Sequence, residues 1–301
     1  MGRVCCDVRK VDTSDFEAAT AAEVRFGARF ASAFREVSEA LVDAWDRLDP
    51  QTAEAAYQAI LRMPWMESFE GPLRTTWEET TREVMTAAGE ESFRDMRGMI
   101  ASPTSTLLTA SFTVENPYSR VYIRERSSRL IVQITDETRE AVKEILDRAI
   151  RDGIPPKQIS SIIGDTVGLF DRWAKAVYNR RSQLLRDGVS FEDASKQSKK
   201  YADKLKRRRG ENIARTEIVN ASNQGTMDSW SIAQDNNWIP ATTKKEWIAG
   251  FGSARTCRYC SALHGKIVGV NEPFPDAGLG AVMRPPYHVN CRCTMGAVFP
   301  R

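Results

Sequence analysis

Two clusters near the C-terminus, Cys257-Arg-Tyr-Cys260 and His288-Val-Asn-Cys291-Arg-Cys293, bring five soft donors into close-spaced groups separated by residues 261–287. Zinc takes four ligands in a tetrahedron and favours thiolate and imidazole. A Cys-x2-Cys turn can place two sulfurs about 2.3 Å from one ion. Four of the six cysteines fall within residues 257–293, a density that scattered packing thiols rarely produce. Five candidates compete for four positions. Cys257, Cys260, His288 and Cys291 form the first set, and Cys293 is the alternate to His288. The expectation is a single structural Zn2+ per chain. Two plainer readings compete with it: free thiols packed as small hydrophobes, and a disulfide, which needs an oxidising compartment. Met1 to Lys10 carry charges where a secretion signal needs an apolar run, which speaks against the disulfide.

A second chemical feature is positive charge. The net charge is +3, yet residues 172–209 hold thirteen Lys or Arg against four Asp or Glu, ending in Lys204-Leu-Lys206-Arg207-Arg208-Arg209. Such a one-signed block neutralises phosphates without reading sequence, or forms the solvated face of a long helix. The candidate contacts to nucleic acid or to an acidic protein surface are Lys204, Lys206, Arg207, Arg208 and Arg209. Ordinary enzymatic signatures are missing: the chain has no His-Glu-x-x-His, Gly-x-Ser-x-Gly or phosphate-cradling glycine loop. If His288 ligates zinc, it is not free to act as a base. The reading is therefore a protein that is not an enzyme. Arg215 and Glu217 are read as a pair that fixes helix packing rather than as catalytic groups.

The elements that must carry these residues are mostly helical. Phe26, Phe30, Phe34, Val37, Leu41, Trp45 and Leu48 recur at spacings of three and four, one apolar stripe ended by Asp49-Pro50. Further helices are expected over about 51–62 and from Leu73 to Met85, with Gly89 as an interruption. Ser102-Pro103 and Asn116-Pro117 mark turns, and Arg120 to Ile134 reads as a strand or an extended arm. Thr135-Asp136-Glu137 supplies a helix start. Pro155-Pro156 opens a short helix that Gly164 ends, and Asp165 to Arg186 forms another. Ser190 caps the last and longest, which runs toward Asn236 with breaks expected at Gly210 or Gly225. Beyond Pro240, strands are expected at 244–248, 265–268 and 293–299. Hydrophobic content of 42% and mean hydropathy of -0.43, with no apolar run of membrane-spanning length, read as a soluble protein. The fold class is α+β, a mostly helical body with a small C-terminal zinc-stapled β unit. Its expected parts are a helical N-terminal region (1–110) for partner docking, a linker or extended arm (111–134), a helical body (135–240) and a zinc-binding β unit (241–301).

Taken in order, Ala214-Arg215-Thr216-Glu217, Trp247, Arg255-Thr-Cys257-x-x-Cys260-x-x-Leu263-x-Gly265-Lys266 and Pro285-Pro286-x-His288-x-Asn290-Cys291-Arg292-Cys293 resemble the phage head morphogenesis family, whose prototypes are minor head proteins of the Mu F and SPP1 gene 7 type. The resemblance covers about residues 130–298. Val289, His264 and Ser253 depart from it, standing where the family often has proline, an acid and aspartate. It implies a structural minor capsid protein of a tailed bacteriophage. Such a protein would act in the host cytoplasm during assembly and reside in the virion, in the head interior near the portal. Its implied partners are the portal protein, other head proteins and packaged double-stranded DNA, with no membrane. The alternative is a zinc-dependent nucleic-acid-binding protein, or a nuclease with His288 as base and Asn290 orienting it.

Overall fold

The computed structural model describes residues 13–48, 58, 65–100, 103–250 and 256–300. The helix expected over about 51–62 falls, except for Gln58, outside the described residues, as do Ser253 and Arg255. Helix α1 (Thr13–Leu48) buries Phe26, Phe30, Phe34, Val37 and Leu41. The first two rings meet edge-on at 4.8 Å, a favoured aromatic geometry. Helix α2 (Trp65–Met99) runs straight through Gly89, so the expected interruption is absent, and it buries Leu73, Trp77, Met85, Phe93 and Met96. A short helix, α3 (Ser105–Thr109), follows.

The stretch read as a strand or extended arm is the first half of helix α4 (Pro117–Arg151). Asn116 is its N-cap, with the side chain accepting from Ser119 N–H at 2.9 Å, and Pro117 fills the first turn, where a missing N–H costs nothing. Ile123, Ser127, Leu130, Ile131, Ile134, Thr138, Ala141 and Val142 are all buried, a helical period that carries straight through the expected start at Thr135. Helix α5 (Pro156–Thr166) passes Gly164. The expected single helix from Asp165 instead breaks at Gly168, which has φ of +78, before α6 (Asp171–Arg186).

Helix α7 (Phe191–Asp235) is capped by Ser190, as the sequence predicts, and is unbroken. Gly210 and Gly225 are not breaks but crossing points. A β-carbon on Gly210 would sit 2.7 Å from the Gly27 carbonyl of α1, and one on Gly225 would overlap the Met85 carbonyl of α2. Glycine there lets α1 and α2 press directly on α7, and α6 packs along it as well. No described helix is long and apolar enough to cross a membrane.

The chain then forms β1 (Lys244–Ile248), helix α8 (Arg258–Leu263), β2 (Ile267–Gly269) and β3 (Thr294–Val298). The sheet is antiparallel with β1 central, pairing Lys244 with Gly269 on one side and with Val298 on the other. Lys245 and Trp247, alternate residues of β1, both point inward and are fully buried, as the two-residue period of a strand requires. A mostly helical chain with a small three-stranded sheet near its C-terminus is thus the observed α+β form.

Candidate metal centre

Cys257 is the N-cap of α8, its sulfur accepting from the Cys260 N–H at 3.4 Å. This turn points both sulfurs to one side. The second ligand group lies in the turn leading into β3, where the Cys291 N–H donates to the His288 carbonyl at 3.1 Å. Asn290 between them has φ of 64, a left-handed backbone that asparagine tolerates better than most residues.

The side chains converge in two triads, Cys257–Cys260–His288 and Cys260–Cys291–Cys293, which share Cys260 and could each hold a metal ion. His288 Nε2 lies 3.1 Å from Cys257 Sγ and 3.2 Å from Cys260 Sγ, and the Cys260 and Cys291 sulfurs are 3.7 Å apart. Two sulfurs bound about 2.3 Å from one tetrahedral ion are separated by roughly 3.8 Å, so the sulfur pair already has the required spacing. All four cysteines are free thiols, and Cys260, Cys291 and Cys293 are buried.

Electrostatics point the same way. The Cys260 thiol donates to Cys291 and holds that sulfur well below the usual thiol range, and Cys260 itself is pushed up in return. Burial alone would raise Cys257, but donation from the Cys260 and Tyr259 backbone N–H groups works against it and the net shift is downward. Thiols crowded this closely cannot all ionise unless a cation offsets their charge. His288 Nδ1 lies 2.8 Å from the Val289 carbonyl. A carbonyl only accepts, so Nδ1 carries the proton, and Nε2, which faces the sulfurs, is the nitrogen left to bind a metal, the arrangement a metal-binding histidine needs. Three thiolates with one imidazole, or four thiolates, are donor sets that fit zinc.

Helix α7 supports the centre. Asn290 N–H donates to Thr216 Oγ1 at 3.1 Å, and its side-chain amide donates to Asn212 Oδ1 at 2.8 Å. Its Oδ1 accepts from Arg215 at 3.1 Å, and Arg215 also pairs with Glu23 of α1 at 3.1 Å. Asn223 donates to the Cys293 carbonyl at 3.2 Å. Glu217 does not pair with Arg215. It is buried and accepts from Arg126 of α4 at 2.5 and 3.0 Å and from Trp77 of α2 at 3.2 Å. Glu217 thus ties α7 to α2 and α4, while Arg215 reaches the β unit through Asn290. Neither does Asn290 orient His288 by its side chain, which is turned to α7 instead. His264 Nδ1 accepts from the Ala249 N–H at 3.3 Å. The supporting roles of Asn212 and Thr216 were missed from sequence, although Thr216 lies within the Ala214–Glu217 motif.

The basic run divides. Lys204, Arg207 and Arg208 are exposed on α7, with Arg208 over the Trp173 ring at 5.9 Å. Lys206 and Arg209 are buried, 4% and 5% exposed, so their proposed surface contacts are corrected. Lys206 donates to the Gly164 carbonyl at 2.7 Å, and Arg209 pairs with Glu137 at 2.7 Å and donates to the Gly168 carbonyl at 3.0 Å. Burial costs a charge its hydration and is tolerated here because each finds internal acceptors.

Residues 175–296 match the family model described as Phage Mu protein F like protein, and this supports a phage head morphogenesis family as the chain's affiliation. No curated protein and no solved structure matches the chain.

Proposed function

We propose that this chain is a structural minor capsid protein of a tailed bacteriophage, associated with the portal inside the head. The observation that carries the reading is that the matched segment, residues 175–296, spans both the metal centre and the α7 residues that support it. In this reading Cys257, Cys260, His288 and Cys291 hold one Zn2+, with Cys293 as the alternate to His288. When bound, the ion supplies a cross-link between α8 and the turn before β3, and with it folding energy for a unit with little apolar interior. His288 Nε2 faces sulfur, not solvent or a carboxylate, which supports a structural over a catalytic centre.

The exposed Lys204, Arg207 and Arg208 contact packaged double-stranded DNA or an acidic portal surface, needing only positive charge in the right place. Residues 1–110 serve partner docking. The test is quantitative mass spectrometry on purified, DNA-filled particles. A few copies per particle alongside portal protein are expected. Absence from both heads and procapsids would overturn the reading and leave a free zinc-dependent nucleic-acid binder as the better account.

A further inference from the structure

One peptide plane joins the long helix to the imidazole. The Val289–Asn290 amide sends its N–H to Thr216 Oγ1 at 3.1 Å, and its C=O accepts from His288 Nδ1 at 2.8 Å. A trans amide is planar, with N–H and C=O pointing in opposite directions, so fixing one end fixes the other. Thr216 is itself held, because its hydroxyl donates to the Asn212 main-chain carbonyl at 2.8 Å, which leaves its oxygen lone pair for the amide. The Asn290 side chain adds two bonds to the same turn of α7, through Asn212 and Arg215. Its left-handed backbone then redirects the chain so that Cys291 comes back over Cys260.

We infer that α7 sets the ring orientation and tautomer of His288 through this amide, making Thr216 and Asn290 positioning residues of the metal centre. Neither residue touches the ligand atoms. They act by presenting the Val289 carbonyl to Nδ1, so that Nε2 keeps a lone pair aimed between Cys257 and Cys260. The inference rests on the zinc reading above. It adds that the helical body, not the β unit alone, determines how well the ion is held. Partners of this kind behind a metal ligand typically change affinity by about ten- to a hundred-fold.

The test uses the full chain and compares wild type with T216V, N290G and N290D. Zinc affinity is read by competition with a chromophoric chelator, and ligand geometry by the visible spectrum after Co2+ substitution. T216V keeps the side-chain shape but removes the acceptor. N290G keeps the left-handed backbone at no steric cost and removes only the side-chain bonds. Both are expected to weaken zinc by about ten-fold or more and to shift the cobalt bands. N290D, which tolerates the same backbone and keeps a link to Arg215, is expected to restore most of the affinity. Wild-type affinity and spectrum in T216V and N290G would overturn the inference, even if both melt earlier. A wild-type chain that takes up neither zinc nor cobalt would overturn the zinc reading itself, and the inference with it.

Discussion

In the helical body, large apolar side chains from several helices share one buried core: Phe26, Phe30 and Phe34 from α1, Trp77 and Phe93 from α2, Ile131 and Ile145 from α4. In the β unit the interior is small and partly polar. Trp247 meets Phe274 at 5.1 Å and Tyr287 at 6.2 Å. Beside them the buried Lys245 donates to the Val270 and Met283 carbonyls at 2.7 and 2.8 Å. A body of the first kind owes its shape to buried area, distributed over many contacts. A unit of the second kind depends on few groups, and four of its candidate donors crowd around Cys260. The contrast teaches that damage should be graded in one region and all-or-none in the other.

The largest effect is expected from C260S, since Cys260 belongs to both triads. Structural zinc contributes on the order of 10 kcal/mol to small domains. Loss of bound metal together with exposure of Trp247 in fluorescence, while far-UV helicity is largely kept, is the expected outcome. A chain that loses its helices at the same time would show that the two regions do not respond separately. The reverse experiment is F30A, which should cost the body about 3–5 kcal/mol in denaturant and leave the zinc content unchanged. Glu217, buried against Arg126 and Trp77, joins α2, α4 and α7. E217A should cost about 3–5 kcal/mol, because it leaves a half-buried guanidinium unpaired.

A smaller effect comes from pH. Burial lowers Lys206 to about 8 from its ordinary 10.5. Between those values the unfolded chain holds the proton and the folded one does not, so stability should rise with pH through that window, by up to about 1.4 kcal/mol per unit. K206M should make this part of the profile shallower, with the buried Lys245, lowered to about 8 in the same way, keeping its share. The smallest effect on stability belongs to the triple variant K204S/R207S/R208S, expected within about 0.5 kcal/mol of wild type. Its signature should appear in DNA binding instead, as a salt slope shallower by about one for each lost phosphate contact. An unchanged slope would remove DNA as the partner of this face.

Much of this was legible in the chain. The convergence of the cysteine and histidine side chains is announced by their spacing, the α1 stripe by its helical period, and the start of α7 by Ser190. What could not be read has physical causes. The first half of α4 carries Arg120, Arg124, Arg126 and Arg129 among β-branched residues, so its apolar period is diluted and the turn signal of Asn116-Pro117 looks like a linker rather than a cap. The run Lys204–Arg209 hides a helical face. Ala202, Leu205, Lys206 and Arg209 share the inward side at spacings of three and four, and charge alone does not reveal which residues find buried carbonyls. Gly210 and Gly225 read as breaks because the neighbouring helices that need their small size are distant in sequence. The amide relay from Thr216 to His288 was invisible for the same reason, since its two ends lie on elements that meet only in the fold.

That a metal ion staples the C-terminal unit by joining α8 to the turn before β3 is tested most directly by elemental analysis of the purified chain. The account predicts about one zinc per chain, lost on chelation together with the burial of Trp247. A metal-free chain whose stability does not change in chelator would contradict it.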